Sequence, residues 1–316
     1  MIETLSFVRG AIAKKDFAPA LTHFCIRHGR ILGFNGTLAI SSPISLELNV
    51  NPKAAPFIKA IQLCKDTVKL NVTATGRLSV VSGKFRAFID CYPDEYPNIY
   101  PEGEFFEIGD SFLSTLHTMK TFIAEDASRP WARGVLFRGQ SAYATNNIAL
   151  AEYWTGFTFP MPFNLPKDAI TEILRIGINP IKAQVCESSI TFYYPEDRWL
   201  RTQLYPCDWP NVDNLLNTPF EYLPVPEGLW EGIETLLPFV DKDGSIFFTD
   251  GEISCSLDPT TGAAFTVEVN GGPCFNADQL LLLKDIATGI DFSPYPSVAG
   301  FKGDRLRGVI AGMRRI

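Results

Sequence analysis

Long apolar runs are missing from this sequence of 316 residues. A helix needs about 20 consecutive apolar residues to cross a membrane, and no run of that length occurs. The first residues, from Met1 to Leu5, also lack the basic region followed by an apolar stretch that marks a secretory signal. We therefore expect a soluble globular protein with a cytoplasmic location.

Paired cysteines and a basic excess are missing as well. The seven cysteines are odd in number and scattered, and none belongs to a Cys-x-x-Cys pair. Zinc ribbons and disulfide frameworks depend on such spacings, so we expect buried free thiols, no metal and no cofactor. The formal net charge of −7 argues against a generic basic nucleic-acid binder. A local basic surface remains compatible with that charge.

Catalytic signatures are limited to one cluster, formed by His23, Cys25 and His28. A Cys/His pair can serve as nucleophile and base, and on a strand His23 and Cys25 share a face. Neither a glycine-rich phosphate loop nor metal-ligand spacing nor a nucleophile elbow accompanies them. We interpret the protein as a non-enzyme, with a Cys/His hydrolase as a remote alternative.

A repeated eight-residue box is the most informative feature that is present. It reads Y-P-D-E-Y-P-N-I from Tyr92 and Y-P-C-D-W-P-N-V from Tyr205, a spacing of 113 residues. A match at a domain-sized period indicates duplicated domains. We expect each box to end one domain and lead into a linker, with Tyr96 or Trp209 packed as an anchor.

The helix and strand signals follow the same period. Helices are predicted at Thr4 to Lys15 and Ala54 to Cys64, each followed by short alternating or β-branched strands. The strands after the first helix are joined by His-Gly and Asn-Gly turns. Apolar stripes at i, i+4, i+7 and i+11 predict the first helix of the second and third units. The stripes are Phe112, Leu116, Met119, Ile123 and Leu229, Ile233, Leu236, Val240.

The sequence thus predicts an α+β protein of three repeated domains, at residues 1–103, 104–217 and 218–316. Each domain should contain two helices packed on roughly two four-stranded antiparallel meanders.

Several segments resemble the bacterial DNA polymerase III β subunits, or sliding clamps, and their phage-borne relatives. Residues 133–137 (R-G-V-L-F) are similar to N-G-M-L-F of that family, and residues 144–151 (A-T-N-N-I-A-L-A) to A-T-D-G-H-R-L-A. Residues 165–175 resemble its V-P-R/K…E-L-x-R helix, and the boxes its D-F-P-N. Residues 309–314 (V-I-A-G-M-R) resemble its V-V-M-P-M-R tail.

The resemblance implies three clamp-type domains per chain and a head-to-tail homodimeric ring around double-stranded DNA. Such a processivity factor holds DNA without reading its sequence and has no chemistry of its own. It also implies that the replicative polymerase and the clamp loader bind through short linear peptides. The alternative is a clamp-like decoy or inhibitor that binds replication proteins without encircling DNA. Its one support is the acidic helix with Glu227, Glu231 and Glu234.

The resemblance places DNA contacts on helices that would line the ring. The strongest candidate is Lys15, and Trp131 stands where the family has a DNA-contacting aromatic residue. The alternative is that such lysines are merely solvated. The full candidate set is Arg9, Lys14, Lys15, Lys53, Lys59, Lys65, Lys120, Trp131, Lys167, Arg175 and Lys284.

The resemblance also implies a hydrophobic peptide groove and a dimer seam. In the groove, the family's His-Arg is Ile148-Ala149 and its Met-Pro is Ala311-Gly312, so a changed peptide preference and a looser turn are expected. The groove set is Thr145, Asn147, Leu150, Val309, Ala311, Gly312, Met313 and Arg314. The seam set is Phe85, Ala87, Phe88, Ile89, Leu237, Phe239 and Val240, which core packing explains almost as well.

Overall fold

The computed structural model describes residues 1–15, 17–125, 128–258 and 260–314. The chain divides into two compact units. Unit 1 contains Met1–Leu113 and Asp168–Leu204, and unit 2 contains Ser114–Lys167 and Tyr205–Ile316. The division into three domains stays a prediction. Of the helices in the described ranges, none is long and apolar enough to span a membrane.

The α-helices of the described ranges are short, and several continue as single 3₁₀ turns. They are α1 Ile2–Val8, α2 Ala54–Leu63, α3 Phe112–Met119, α4 Lys167–Ile176, α5 Asp213–Leu216, α6 Leu229–Leu236 and α7 Ala277–Leu281. The 3₁₀ turns are Arg9–Ala11, Pro19–Thr22, Lys120–Phe122, Pro130–Arg133 and Leu237–Phe239.

The strands of unit 1 form two antiparallel sheets. They are β1 Cys25–Arg27, β2 Arg30–Phe34, β3 Leu38–Pro43, β4 Lys69–Val72, β5 Leu78–Ser82, β6 Phe85–Ile89, β7 Glu104–Glu107, β12 Lys182–Val185, β13 Ser189–Tyr194 and β14 Arg198–Gln203. One sheet has the order β1-β2-β3-β14-β13-β12-β7, and the other has the order β4-β5-β6.

Unit 2 also has two sheets. Its strands are β8 Gly134–Arg138, β9 Ser141–Thr145, β10 Ala149–Trp154, β11 Phe163–Pro166, β15 Leu223–Pro224, β16 Ser245–Thr249, β17 Glu252–Ser254, β18 Ala264–Thr266, β19 Cys274–Asn276, β20 Gly289–Asp291, β21 Val298–Gly303 and β22 Leu306–Ala311. The orders are β11-β8-β9-β10-β22-β21-β20-β15 and β18-β17-β16-β19.

The two large sheets are each built from two meanders joined edge to edge. Strands β3 and β14 join the meander β1-β2-β3 to β14-β13-β12-β7, through pairs such as Ile40 with Leu200. Strands β10 and β22 join β11-β8-β9-β10 to β22-β21-β20-β15, through pairs such as Leu150 with Val309. The meanders of three or four strands agree with the sequence prediction, and the α+β fold class is confirmed. The two joints were not predicted.

The predicted helix at Thr4 to Lys15 is too long. The α-helix ends at Val8, a 3₁₀ turn ends at Ala11, and Ile12 is extended. A Cβ atom on Gly10 would collide with the Glu172 carboxylate, so glycine permits a close approach at the end of the helix. Lys14 and Lys15 therefore lie beyond the helix rather than on it.

Two other predictions from the sequence, the buried stripe of α3 and the packing of Tyr96, are confirmed. The stripe of α3 is buried, with exposed fractions of 0 to 4% at Phe112, Leu116, Met119 and Ile123. Tyr96 of the first box is buried, and its hydroxyl donates a hydrogen bond to the His23 carbonyl at 3.1 Å.

The cysteines are all free, as expected, but the prediction of buried thiols is only partly right. Cys25, Cys255 and Cys274 are buried, whereas Cys207 is exposed and the other three are half-buried. Exposure at Cys207 follows from its place in the second box, outside any strand.

Candidate peptide groove and nucleic-acid interface

Three neighbouring strands bring the centre of the predicted groove together in unit 2. Leu150 on β10 pairs with Thr145 on β9 and with Val309 on β22. Ala311 lies at the end of β22, and its N–H donates to the Ile148 carbonyl at 2.8 Å. Because side chains two apart on a strand share a face, Val309 and Ala311 face the same side as Leu150.

The turn between β9 and β10 explains the asparagines of the T-N-N motif. Asn147 has φ 74°, in the left-handed region where Gly and Asn are favoured over other residues. The Asn146 side-chain oxygen accepts from the N–H groups of Ile148 and Ala149 at 3.0 and 2.8 Å. Thr145 donates its hydroxyl to the Ala149 carbonyl at 2.7 Å. The turn is thus fixed, and Asn147 and Ile148 are exposed on it.

A hydrophobic cluster extends the groove residues well beyond the predicted set. Leu150 and Val309 are buried, at 6% and 3% exposure, together with Leu136 and Tyr143 of the sheet. Two further members are Val212, directly before α5, and Leu216 of α5. The partly buried Trp209, Phe220 and Val298 pack against the cluster.

Sequence reasoning missed the contribution of the second box to this cluster. The second box ends in W-P-N-V at Trp209 to Val212 and is followed by the apolar pair Leu215-Leu216. These apolar residues were the signal in the sequence for a packed segment. The sequence predicts only a domain end and a linker at these residues, whereas Val212 and Leu216 pack against the groove strands.

A polar network fastens α5 over this sheet. Glu152 on β10 accepts from the Tyr143 hydroxyl at 2.9 Å and from the Arg307 guanidinium at 2.6 Å. Arg307 also donates to the Leu216 carbonyl at 3.2 Å, and Arg138 pairs with Asp213 at 3.1 Å. Burial alone would raise the pKa of Glu152, but hydrogen bonds from Ser141, Arg307 and Tyr143 lower it overall. The carboxylate is therefore ionised in the folded protein.

The tail from Ala311 to Arg314 is held against the rest of unit 2. Met313 donates its N–H to the Cys274 carbonyl at 2.8 Å, and the Tyr295 hydroxyl donates to the Met313 carbonyl at 2.7 Å. The Gly312 N–H donates to the Ser297 carbonyl at 3.3 Å. A Cβ on Gly312 would lie 2.7 Å from the Pro296 carbonyl oxygen. The turn is therefore tightly packed around glycine rather than loosened by it.

Asn146 connects the groove turn to α7. Its side-chain amide donates to the side-chain oxygen Oε1 of Gln279 at 2.6 Å. Gln279 belongs to α7, which Asn276 caps, since the Asn276 side chain accepts from the Gln279 N–H at 3.1 Å. The turn, the tail and α7 thus border one surface.

The candidate DNA contacts lie at helices or directly beside them, but their side chains differ in availability. Lys14, Lys15, Lys59, Lys65 and Lys120 are exposed. Lys15 has its ammonium 5.9 Å from the ring centroid of Phe17, which is itself exposed. Arg9 is also exposed, and Lys53 is half-buried just before α2.

Arg175, Lys167 and Lys284 are already paired within the described part of the chain. Arg175 contacts Glu172 at 2.5 Å and donates to the Ser6 and Phe7 carbonyls at 3.0 and 2.9 Å, which caps the last turn of α1. Lys167 pairs with Glu125, and Lys284 pairs with Glu234 at 2.6 Å. These contacts compete with phosphate, most of all at Arg175.

Trp131 also has a packing role. It is half-buried, and its ring centroid lies 5.0 Å from that of Trp209. The pair links the 3₁₀ turn Pro130–Arg133 to the second box. Its role as a DNA contact stays a prediction.

The predicted seam residues divide by exposure. Phe88 is 54% exposed on β6, a terminal strand of its sheet, and Phe239 is 59% exposed in the turn Leu237–Phe239. Ile89 is buried at 4%, and Phe85, Ala87, Leu237 and Val240 are half-buried. The exposed phenylalanines are the members of the set that a partner could cover.

The Cys/His cluster does not form a nucleophile and base. His23 is buried, with Nδ1 2.6 Å from the Pro19 carbonyl oxygen, and burial raises the pKa of the Cys25 thiol. A raised pKa disfavours the thiolate that a nucleophile needs.

No protein-family model matches the sequence, and the search of curated proteins gives no match. Solved structures match over the whole chain. The DNA polymerase sliding clamp of Bacillus subtilis has a TM-score of 0.83 at 17% identity, covering 100% of this chain and 97% of that one. The DNA polymerase III subunit beta of Pseudomonas aeruginosa has a TM-score of 0.84 at 18% identity, covering 99% and 97%.

The β subunit of the Streptococcus pyogenes DNA polymerase gives a TM-score of 0.78 at 19% identity, covering 99% and 97%. At such identities the likeness establishes the fold. The chain has the sliding-clamp fold from end to end, and the resemblance found in the sequence is confirmed at that level.

Proposed function

We propose that this protein is a DNA sliding clamp: a head-to-tail homodimer that encircles duplex DNA and tethers the replicative polymerase. The observation that carries the proposal is the whole-chain likeness to bacterial clamps, with TM-scores of 0.78 to 0.85 and coverage of 97% of each matched chain. A ring that slides needs weak, sequence-independent phosphate contacts and a topological link, not a catalytic centre.

The sheet joints support head-to-tail assembly. In each of the two joints, the last strand of one meander pairs antiparallel with the last strand of another: β3 with β14, and β10 with β22. By chain order, the next pair in this series is β18 with β6. Each is a terminal strand of its sheet in the described ranges. Pairing β18 of one chain with β6 of a second copy would continue the rule and cover two open edges.

Phe88 adds apolar area to that pairing. It lies on β6 and is 54% exposed, and large exposed apolar side chains at a free edge favour association. Two such contacts close a ring of two chains, since a heterologous interface must close on itself or propagate.

The groove supports tethering by a short peptide. Its border, formed by the exposed Asn147, Ile148 and Arg314 and by the half-buried Ala311 to Met313, adjoins the buried Leu150 and Val309. A matched clamp from Pseudomonas aeruginosa was solved bound to griselimycin. An apolar strip with main-chain groups beside it is suited to an extended peptide from a polymerase or clamp loader.

The mass of the protein in solution tests the ring. Light scattering should give about twice the 35.1 kDa of one chain, and the dimer should separate when Phe88 is replaced. A monomer at all accessible concentrations would favour a decoy that binds replication proteins without encircling DNA. The exposed Glu231 and Glu234 on α6 are the observation that favours that alternative.

A further inference from the structure

Unit 2 contains a cavity that is lined by none of the groove residues. It has a volume of about 560 Å³ and is bordered by β15, the end of β20 and the loop before β19. This volume falls within the range of pockets that hold small ligands or a few peptide residues, roughly 300 to 1,000 Å³.

Three aromatic side chains, Phe248, Phe292 and Tyr295, form part of the cavity wall. Phe248 is buried, and its ring centroid lies 4.9 Å from that of Phe292. Tyr295 also lines the cavity, while its hydroxyl holds the Met313 carbonyl. Aromatic faces of this kind attract apolar groups and cations, arginine above all.

The charges on the lining have one sign. In the described part of the chain, the lining residues include Glu227, Glu268 and Asp291 and no lysine, arginine or histidine. Asp291 is buried, and its carboxylate accepts from the Ser293 N–H and hydroxyl and from the Glu221 N–H. Burial alone would raise the pKa of Asp291, but these hydrogen bonds lower it overall, so the carboxylate is ionised.

The loop that borders the cavity is preformed. The Gly271 N–H donates to the Asp250 carboxylate at 2.7 Å, and the Gly272 N–H donates to the Phe248 carbonyl at 3.0 Å. Gly272 has φ 120° and open space where a Cβ would stand. A ligand backbone can therefore approach the loop closely.

We propose that this cavity binds a peptide segment of a partner protein in which an apolar side chain adjoins an arginine. The apolar side chain packs on Phe248 and Phe292, and the guanidinium lies over an aromatic face beside Glu227 and Glu268. Charge complementarity selects the basic peptide, and the glycine loop at the border suits a main chain rather than an isolated ion. The lining contains none of the groove residues, although Tyr295 contacts Met313 of the tail, and the site does not depend on ring formation.

Titration with three short peptides tests the proposal. The probes are N-acetylated and C-amidated Gly-Leu-Phe-Arg-Gly, the same peptide with Gln for Arg, and the same peptide with Glu for Arg. Binding is followed by backbone amide shifts of the full chain, with Gly271 and Gly272 as reporters. The arginine peptide should move these signals, and the glutamate peptide should not.

The carboxylates are tested by Glu227→Gln/Glu268→Gln. Both side chains are exposed, so the fold should hold, and the Kd of the arginine peptide should rise by up to about fivefold per carboxylate at low salt. Glu231→Gln/Asp278→Asn removes the same charge from exposed positions outside the cavity and should leave the Kd unchanged.

Four results would overturn the proposal. They are no binding of the arginine peptide at millimolar concentration, equal binding of all three peptides, shifts confined to Leu150 and Val309, and binding of benzylammonium as tight as that of the peptide. The last result would assign the cavity to small organic cations instead.

Discussion

Met313 donates its backbone N–H to the Cys274 carbonyl at 2.8 Å, and this bond repeats a relationship found twice earlier in the chain. Tyr92 donates to the Asn51 carbonyl at 2.8 Å, and Tyr205 donates to the Asn164 carbonyl at 3.0 Å. Tyr92 and Tyr205 begin the two boxes, so Met313 fills the first position of a third. The box sequence itself does not recur at Met313. Its first position is present, next to the groove.

The tail should therefore contribute to stability. Deleting residues 313–316 removes the hydrogen bonds of Met313 with Cys274 and Tyr295. At roughly 1 kcal/mol for each bond, the free energy of unfolding should fall by about 2 kcal/mol and Tm by about 4 to 8 °C. Deletion of residues 315–316 alone is the control. Equal Tm values for the two truncations, measured by calorimetry, would contradict this role of Met313.

The carboxylate that fastens α5 should make stability depend on pH. Because the pKa of Glu152 is lower in the folded protein than in the unfolded chain, its contribution is present above the ordinary glutamate pKa and is lost as pH falls through the folded value. Glu152→Gln should lower Tm near pH 7, and the gap from wild type should shrink as the medium becomes more acidic than the ordinary glutamate pKa. A gap that stays constant down to pH 3 would show that Glu152 does not act through its charge.

The sequence could predict what local patterns determine. The stripe from Phe112 to Ile123 placed α3 correctly, whereas the left-handed backbone of Asn147 in the groove turn was not predicted. The joints of β3 with β14 and of β10 with β22 pair segments about 160 residues apart. No local periodicity encodes such partners, so the joints had to be observed.

Two features were not predicted from the sequence: the contribution of α5 to the groove cluster and the early end of α1. Leu216 and Val212 join the groove cluster through α5, a helix of only four residues, which leaves too short a pattern to detect. The early end of α1 coincides with the close approach of Gly10 to Glu172, more than 160 residues away, which no local pattern encodes. Arg175 stays a predicted DNA contact, and its guanidinium also caps α1 through the Ser6 and Phe7 carbonyls.

The two exposed lysines after α1 should set part of the salt dependence of DNA binding. Each lysine that neutralises a phosphate contributes about 0.9 to the slope of log K against log salt. Lys14→Ala/Lys15→Ala should thus reduce the slope by up to about 1.8, measured by fluorescence anisotropy on duplex DNA. Lys69→Ala/Lys242→Ala, at exposed positions outside the candidate set, should leave the slope unchanged. An unaltered slope in the first variant would remove both lysines from the DNA surface.

The seam should weaken when a charge is placed on β6. Phe88 is 54% exposed within one chain, so Phe88→Asp should leave the circular dichroism spectrum and Tm of the monomer nearly unchanged. Light scattering should show a shift from dimer to monomer, because the buried aspartate would have no partner at the interface. Phe17→Asp, at 86% exposure, is the matched control. If both variants remain dimeric, the seam does not include β6.

Retention on circular DNA tests whether the protein encircles the duplex. The protein is diluted until light scattering shows monomers, mixed with nicked circular or linear duplex DNA of equal length, and reconcentrated so that rings can close. The complexes then pass through gel filtration in high salt, which weakens phosphate contacts but leaves a topological link intact. The account predicts retention on the nicked circle, little on the linear DNA, and release when the circle is cut. Equal retention on both DNAs, or on neither while the protein remains dimeric, would contradict the proposal that it encircles DNA.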